Sequence, residues 1–488
     1  MVITKKIFIN SIYKLILELF KILIPIITLP YVYRKFSPEI MGNIVFSQTI
    51  VDYCIIFSGF GVYSYGLREI SKIRKKQKEI SILFSSLTVF SFFTTFIVSI
   101  IYCISIFLGK DILLKNLMLI NLIQVLIYFL NFEWINEAFE EYKFISLKSI
   151  LLKLINFIFI LILIKTSEDF YKYLFLINFF ILFNNLVSFL YIFYYKKYIK
   201  FTLKNLEIKK HIVPLLYIVC IYNVDALYII FDKFLLGVYK KNVEELAYYN
   251  LGHRITIIIK TLLDSLMLVS VAQLSEYLGK NYIKEYQNLI NNILEYIYFF
   301  SIPIVVGMII LNKEILYLMG GENYLRASGI FVIFCFRIFI LLLERILTYQ
   351  VLYLNKREKI AIKFLFSLGV LGIFIKSILL SFNIYSALLT ILITTISEAL
   401  NIYFTYSYIK RELKYEIFIF DINILKYLFS AFSFFICYKV ANNISDNIYL
   451  IIIITIIFSI IIYFIILYFI LKDLKLKLVL KIIKEKIK

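Results

Sequence analysis

Long apolar runs broken by short polar stretches dominate the chain. Residues 82–108, 173–195 and 449–471 carry no charged side chain at all. A helix needs about 20 apolar residues to cross the hydrocarbon core of a bilayer. On that measure the pattern predicts spans at 12–33, 43–66, 82–108, 112–131, 145–165, 170–195, 212–237, 252–275, 289–311, 329–354, 360–381, 384–409, 422–441 and 448–471. The spans must be helices, because lipid cannot satisfy the open edge of a strand. The predicted class is therefore an all-α integral membrane protein of about 14 transmembrane helices.

The polar stretches set the topology. One alternate set holds 68–78, 196–210, 356–359, Lys410-Arg411 and the tail from Lys472. That set carries about 30 Lys and Arg and the opposite set about 8, so the basic set is expected on the cytoplasmic side. An even helix count then puts both termini inside a bacterial inner membrane. Lys5 and Lys6 precede an apolar run too long for a cleaved leader and lacking a small-residue cleavage site, so the first helix is expected to stay as an anchor.

Composition adds to this picture. The chain of 488 residues is 62% hydrophobic and only 17% charged, well away from the soluble norm. Its formal charge of +21 falls in the short stretches between spans, which fits a membrane surface and not nucleic acid. Cys54, Cys103, Cys220, Cys335 and Cys437 lie in apolar runs without metal or redox spacing. With two histidines there is no basis for a His-ligated metal site. No phosphate-binding loop of the P-loop kind is present, so an ATP-driven pump within this chain is not expected.

The basic stretch 196–211 divides six helices from six. The expected organisation is a lobe at 1–195 (helices 1–6), a cytoplasmic linker at 196–211 and a second lobe at 212–409 (helices 7–12). Two C-terminal helices at 410–471 and a basic tail at 472–488 follow, the tail lying on the anionic inner leaflet. Two six-helix lobes around a central cavity is a common transporter plan, with the site between the repeats. A short echo, 42–50 at helix 2 and 247–255 at helix 8, agrees with it.

Ionisable groups inside spans cost about 2–3 kcal/mol each and normally face a cavity or a partner. Lys14, Glu18 and Lys21 share one stripe of helix 1, ahead of Pro25 and Pro30, which should kink it. Helix 7 carries Asp225, Asp232 and Lys233, and helix 8 carries Arg254, Lys260 and Asp264, the last two at ion-pair spacing. Helix 10 holds Arg337, Glu344 and Arg345; Asp52, Lys363, Lys376 and Glu398 lie in helices 2, 11 and 12. One reading is a partly cationic cavity for a phosphate-bearing substrate, built from Lys21, Arg68, Lys233, Arg254, Lys260 and Arg337. The other is ion pairing between helices, with Lys14, Lys363 and Lys376 reaching to a membrane surface. No catalytic residue and no metal ligand is expected.

Several segments carry a family resemblance. They are Pro25-Ile-Ile-Thr-Leu-Pro-Tyr31, running on through 34–43 and Phe46-Ser-Gln48, and Gly59-Phe-Gly-Val-Tyr-Ser-Tyr-Gly-Leu-Arg-Glu-Ile70. Residues 134–144, Asp232-Lys-Phe-Leu-Leu-Gly237 with Ala247-Tyr-Tyr249, and Met319-Gly-Gly-Glu-Asn-Tyr324 follow in order. Together they resemble the polysaccharide (O-antigen) flippases of Wzx type, in the multidrug/oligosaccharidyl-lipid/polysaccharide exporter superfamily. The chain departs from the family at Ala272-Gln273 and at Asn136-Glu137.

The resemblance implies a MATE-like transporter that flips undecaprenyl-pyrophosphate-linked glycan by alternating access, for O-antigen, capsule or other lipopolysaccharide and exopolysaccharide synthesis. It implies no cofactor beyond an H+ or Na+ gradient, with Glu18, Asp52, Asp232 and Glu398 as candidate carriers and Arg68 as a capture point for pyrophosphate. Membrane lipid, a polysaccharide polymerase and a chain-length regulator are the expected partners. A lipid II flippase or a multidrug/cation antiporter is the alternative within the superfamily. A membrane glycan polymerase or glycosyltransferase is the alternative outside it; such enzymes usually carry a large extracytoplasmic loop or an exposed carboxylate motif, and neither appears here.

Overall fold

A computed structural model describes residues 5–195, 199–222, 228–239, 243–268, 270–421 and 423–473. Asp225, and all but the first two residues of the expected tail, lie outside them. Every regular element among the described residues is a helix, and the chain forms two compact units, Met1–Ala247 and Tyr248–Lys488.

The first unit holds α1 (Lys5–Lys35), α2 (Pro38–Gly59), α3 (Val62–Ile73), α4 (Gln77–Leu108) and α5 (Ile112–Leu126). A short α6 (Glu133–Ala138) leads to α7 (Tyr142–Leu163), α8 (Phe170–Tyr195), α9 (Ile208–Tyr222) and α10 (Ile229–Val238). Helix α1 runs continuously through Pro25 and Pro30. Its successor starts at a strong local signal: Ser37 accepts from the Ile40 amide and Pro38 takes the first helical position, where a missing N–H costs nothing. The expected helix 2 stops earlier than hydropathy suggests. Phe60 and Gly61 both take left-handed backbone (φ 42° and 76°), ending α2 and turning the chain into α3. Glycine at 61 carries the second of these without steric cost.

Beneath that turn, Trp134 and Ile135 of α6 pack with Ile70, Ile80, Phe84 and Phe132, joined by Ile199, Leu215 and Ile218. Within the stretch expected as an inter-lobe linker, Ile199 is buried in this core and α9 begins at Ile208.

The second unit holds most of α11 (Val243–Leu268), then α12 (Val271–Gly279), α13 (Ile283–Ile310), α14 (Asn312–Gly320), α15 (Ser328–Glu344) and α16 (Glu358–Ser381). It ends with α17 (Ala387–Tyr408), α18 (Asn423–Ile444) and α19 (Ile448–Ile465). Wider π-type turns extend α15, α17 and α19 over Arg345–Tyr353, Ile409–Leu413 and Ile466–Ile470.

Among the described residues, eleven helices are long and apolar enough to cross a membrane. The expected helices 7, 8 and 10 are not among these eleven, and residues 223–227 of helix 7 lie outside the described residues. Helix 7 is seen as α9 and α10, with Tyr228 out of helical geometry before α10. Helix 8, as α11, carries Glu244, Glu245, Arg254, Lys260 and Asp264. Helix 10 spends its length on Arg337, Glu344 and Arg345 across α15 and its π extension. In helices 8 and 10 these ionisable side chains hold hydropathy down, so hydropathy alone does not select them. Large apolar side chains such as Phe93, Phe107, Phe374, Phe432 and Ile461 stay exposed along the others, as a lipid-facing surface requires.

Candidate functional site

Ionisable groups within the spans arrange into several local sites. In the first unit, α10 packs along α2. Gly237 makes this possible, since a Cβ there would sit 1.9 Å from the Phe46 ring. Phe234 stacks edge-on to Tyr53 at 5.8 Å, and on the same short helix Asp232 and Lys233 are both buried. Asp232 lies within electrostatic reach of Tyr53. One turn away on α2, Gln48 donates to Asp52 (3.2 Å) and approaches Gln124 of α5 (3.4 Å). Deeper in, Asn178 of α8 donates to Asn121 of α5 (2.8 Å), which donates to Ser47 of α2 (3.1 Å). Asp52, Asp232 and Lys233 therefore fall in the polar part of the α2–α5–α10 packing.

Glu18 and Lys21 pair with each other at 2.8 Å on the half-exposed face of α1. Lys153 of α7 feels both charges. Arg68 is exposed midway along α3, bonded to Glu69 at 2.9 Å and lying over the Tyr65 ring. Tyr65 itself is buried against His211 of α9, with 2.7 Å between Oη and Nδ1. Burial, and then the Lys210 ammonium, push the His211 pKa down.

In the second unit, Arg254 is exposed on α11, and Lys260 pairs with Asp264 one turn on at 2.8 Å. Arg337 of α15 and Glu398 of α17 form a two-pronged ion pair at 2.7 and 2.6 Å, both side chains buried. Glu398 belongs to a stripe of buried polar side chains on α17, with Thr390, Thr394, Ser397, Asn401 and Thr405. Lys376 of α16 reaches that stripe, donating to Thr394 at 2.7 Å. It is 1% exposed, so it does not extend to a membrane surface.

The residues expected from sequence thus resolve into different local settings. Lys21 with Glu18 and Arg337 with Glu398 are each other's partners. Asp232 and Lys233 sit side by side, with Asp52 on the helix that α10 packs against. Arg68 and Arg254 remain exposed. One centre was missed altogether. Lys148 of α7 donates to both carboxylate oxygens of Glu133 of α6 (3.0 and 2.8 Å), and Ser188 of α8 bonds to both groups. A lysine four residues into an apolar span was its only signal.

The family model described as "Polysaccharide biosynthesis protein" matches residues 7–278, more than half of the chain. The chain belongs to that family. A relative from Escherichia coli (strain K12), described as "Putative O-antigen transporter", is 26% identical over 165 residues. That alignment spans 33% of this chain and 39% of the relative's length. Among solved structures, the family fold is shared with the lipid II flippase MurJ in an inward closed conformation. The TM-score is 0.71 at 19% identity, over 96% of this chain and 99% of that one. It is also shared with an inward-facing multidrug resistance MATE family transporter of the MOP superfamily. There the TM-score is 0.58 at 11% identity, over 82% and 96% of the two chains. This family member is a multi-pass membrane protein by its apolar helices, and its fold is the one these two solved structures share.

Proposed function

We propose that this protein flips an undecaprenyl-pyrophosphate-linked oligosaccharide across the bacterial inner membrane, by alternating access, for assembly of a surface polysaccharide. The observation that supports it best is the burial of both Asp232 and Lys233 on α10, a helix that starts after the non-helical Tyr228 inside the expected seventh span. Irregular backbone at membrane depth is tolerated where it lines protein or water, and interrupted helices are where transporters commonly bind substrate. A pyrophosphate and sugar hydroxyls cannot cross hydrocarbon alone, because burying unpaired polar and charged groups is prohibitive. Lysine and arginine at depth lower that barrier while the polyprenyl tail stays in lipid.

In this reading Lys233 is the principal contact for the pyrophosphate, with Arg68 of the same unit as the point of entry. Asp52, Asp232 and Glu18 are the carriers of a coupling proton or Na+. Arg337 and Glu398 act through one another. Both termini lie in the cytoplasm, as the distribution of Lys and Arg among the loops supports.

Deleting the gene tests the proposal. Completed lipid-linked glycan should accumulate on the cytoplasmic leaflet while its synthesis continues. Completed glycan on the outer leaflet of the deletion strain would refute it. A lipid II flippase shares the pyrophosphate and polyprenyl chemistry; it would instead leave peptidoglycan precursor behind and stop growth.

A further inference from the structure

Residues 199–207, ahead of α9, are not a free loop. They run without helix along α4 and are fastened to three of its serines. The backbone amide of Lys200 donates to Ser81 (3.1 Å), that of Thr202 to Ser85 (2.9 Å) and that of Glu207 to Ser86 (3.0 Å). Ser85 and Ser86 are fully buried. Ile199 anchors one end in the core, and Phe201 meets Phe84 edge-on at 6.5 Å. With its backbone tied down, this strap turns its side chains outward. Lys200, Lys204, Lys209 and Lys210 are exposed, and between them Phe201 and Leu203 are 48% and 70% exposed.

Its position gives this pattern meaning. The serines lie in the first turns of one membrane span, and α8, another span, ends at Tyr195 just before the strap. Tyr194 and Tyr195 are themselves exposed at that end, as aromatic residues are at a lipid headgroup level. Ile73, at the end of α3, packs on the same core as Ile199, which brings exposed Lys72, Arg74, Lys75, Lys76 and Lys78 to the same end of the unit. Lys72, Arg74, Lys76 and Lys210 are ion-paired with Glu69, Glu140, Glu79 and Glu207, so the nine exposed Lys and Arg of 72–78 and 200–210 outnumber these four carboxylates.

We propose that the serine-fastened strap, together with 72–78, is a docking surface for the headgroups of anionic phospholipids. Exposed cations supply the attraction, and Phe201 and Leu203 supply the apolar contact with the acyl boundary. The fastening matters because a lysine held at the surface loses less entropy on binding than one on a free loop.

The test uses the purified full chain in vesicles of phosphatidylcholine, alone or mixed with phosphatidylglycerol, and spin-labelled versions of each lipid. Wild type should prefer spin-labelled phosphatidylglycerol, and the preference should shrink on going from low to high salt. Lys200→Gln with Lys204→Gln should lower it by about fivefold or more. Lys284→Gln with Lys313→Gln, exposed lysines of the second unit, should leave it unchanged. Ser81→Ala, which removes one fastening and no charge, should lower it by a smaller factor. Equal association of both lipids with wild type, or an unchanged preference in the Lys200/Lys204 variant, would overturn the docking surface. An unchanged preference in Ser81→Ala would overturn the role of the fastening.

Discussion

Arg337 and Glu398 meet through two parallel hydrogen bonds of 2.7 and 2.6 Å, buried between α15 and α17. Sixty-one residues separate them in sequence, and each alone would be an uncompensated charge at membrane depth. A guanidinium matches a carboxylate in this geometry as no ammonium can. Removing either partner leaves the other charge buried, at a cost of about 3–5 kcal/mol. Arg337→Ala and Glu398→Ala should each unfold well below wild type in detergent, and Arg337→Met/Glu398→Leu should recover much of the loss. Single variants that melt with wild type would show that the pair bears no weight.

The Glu133–Lys148–Ser188 centre joins α6, α7 and α8 in the same way. Lys148→Met leaves the Glu133 carboxylate facing Ser188 alone and should cost about 3 kcal/mol. Lys148→Met/Glu133→Gln should cost clearly less than the single change. A double-mutant cycle on thermal unfolding measures the coupling; additive losses would mean that the ion pair is not what holds α6 in place.

His211 links α9 to Tyr65 of α3 and faces Lys210, Glu207 and Glu69 as well. Its folded pKa lies below the ordinary 6.5, first through burial and then through Lys210. The unfolded chain therefore takes up the proton first. The contribution of neutral His211 is complete above about pH 6.5 and is lost as pH falls from there toward the lowered folded value. Glu207 is exposed and its own pKa is lowered by Lys210, so it stays charged through that window. Melting temperature measured between pH 7.5 and pH 5.5 should fall more for wild type than for His211→Gln. Parallel curves would remove His211 from the cause.

Gly237 is a packing glycine. Any Cβ there collides with the Phe46 ring, so Gly237→Ala should destabilise by about 1–3 kcal/mol through overpacking. Phe46→Ala in the same chain opens the needed space and should return part of the loss. If Gly237→Ala is neutral, α10 does not press on α2 as described.

How much of this was legible beforehand depends on the physics of each part. Charge-free runs such as 82–108 and 448–470 announce spans because hydrocarbon excludes everything else, and α4 and α19 fall there. Spans that carry charge are harder to see. Tyr228 is non-helical inside the expected seventh span, and the left-handed pair Phe60–Gly61 cuts the second short; neither backbone conformation is written in hydropathy. Charged residues within spans could be picked out one by one, since each is costly. Their partners could not: only folding brings Arg337 to Glu398 and Lys148 to Glu133. The exceptions are pairs one helical turn apart, such as Lys260 with Asp264 and Glu18 with Lys21, where spacing alone puts the two groups together.

Transport itself is tested most directly in purified vesicles. The protein is reconstituted with undecaprenyl-pyrophosphate-linked glycan spread over both leaflets, and a membrane-impermeant enzyme trims any sugar it can reach from outside. The account predicts that nearly all of the glycan is trimmed with wild type, and that Lys233→Ala slows the inner-leaflet share while folding normally. Trimming that stops at the outer-leaflet share, as in vesicles without protein, would contradict it.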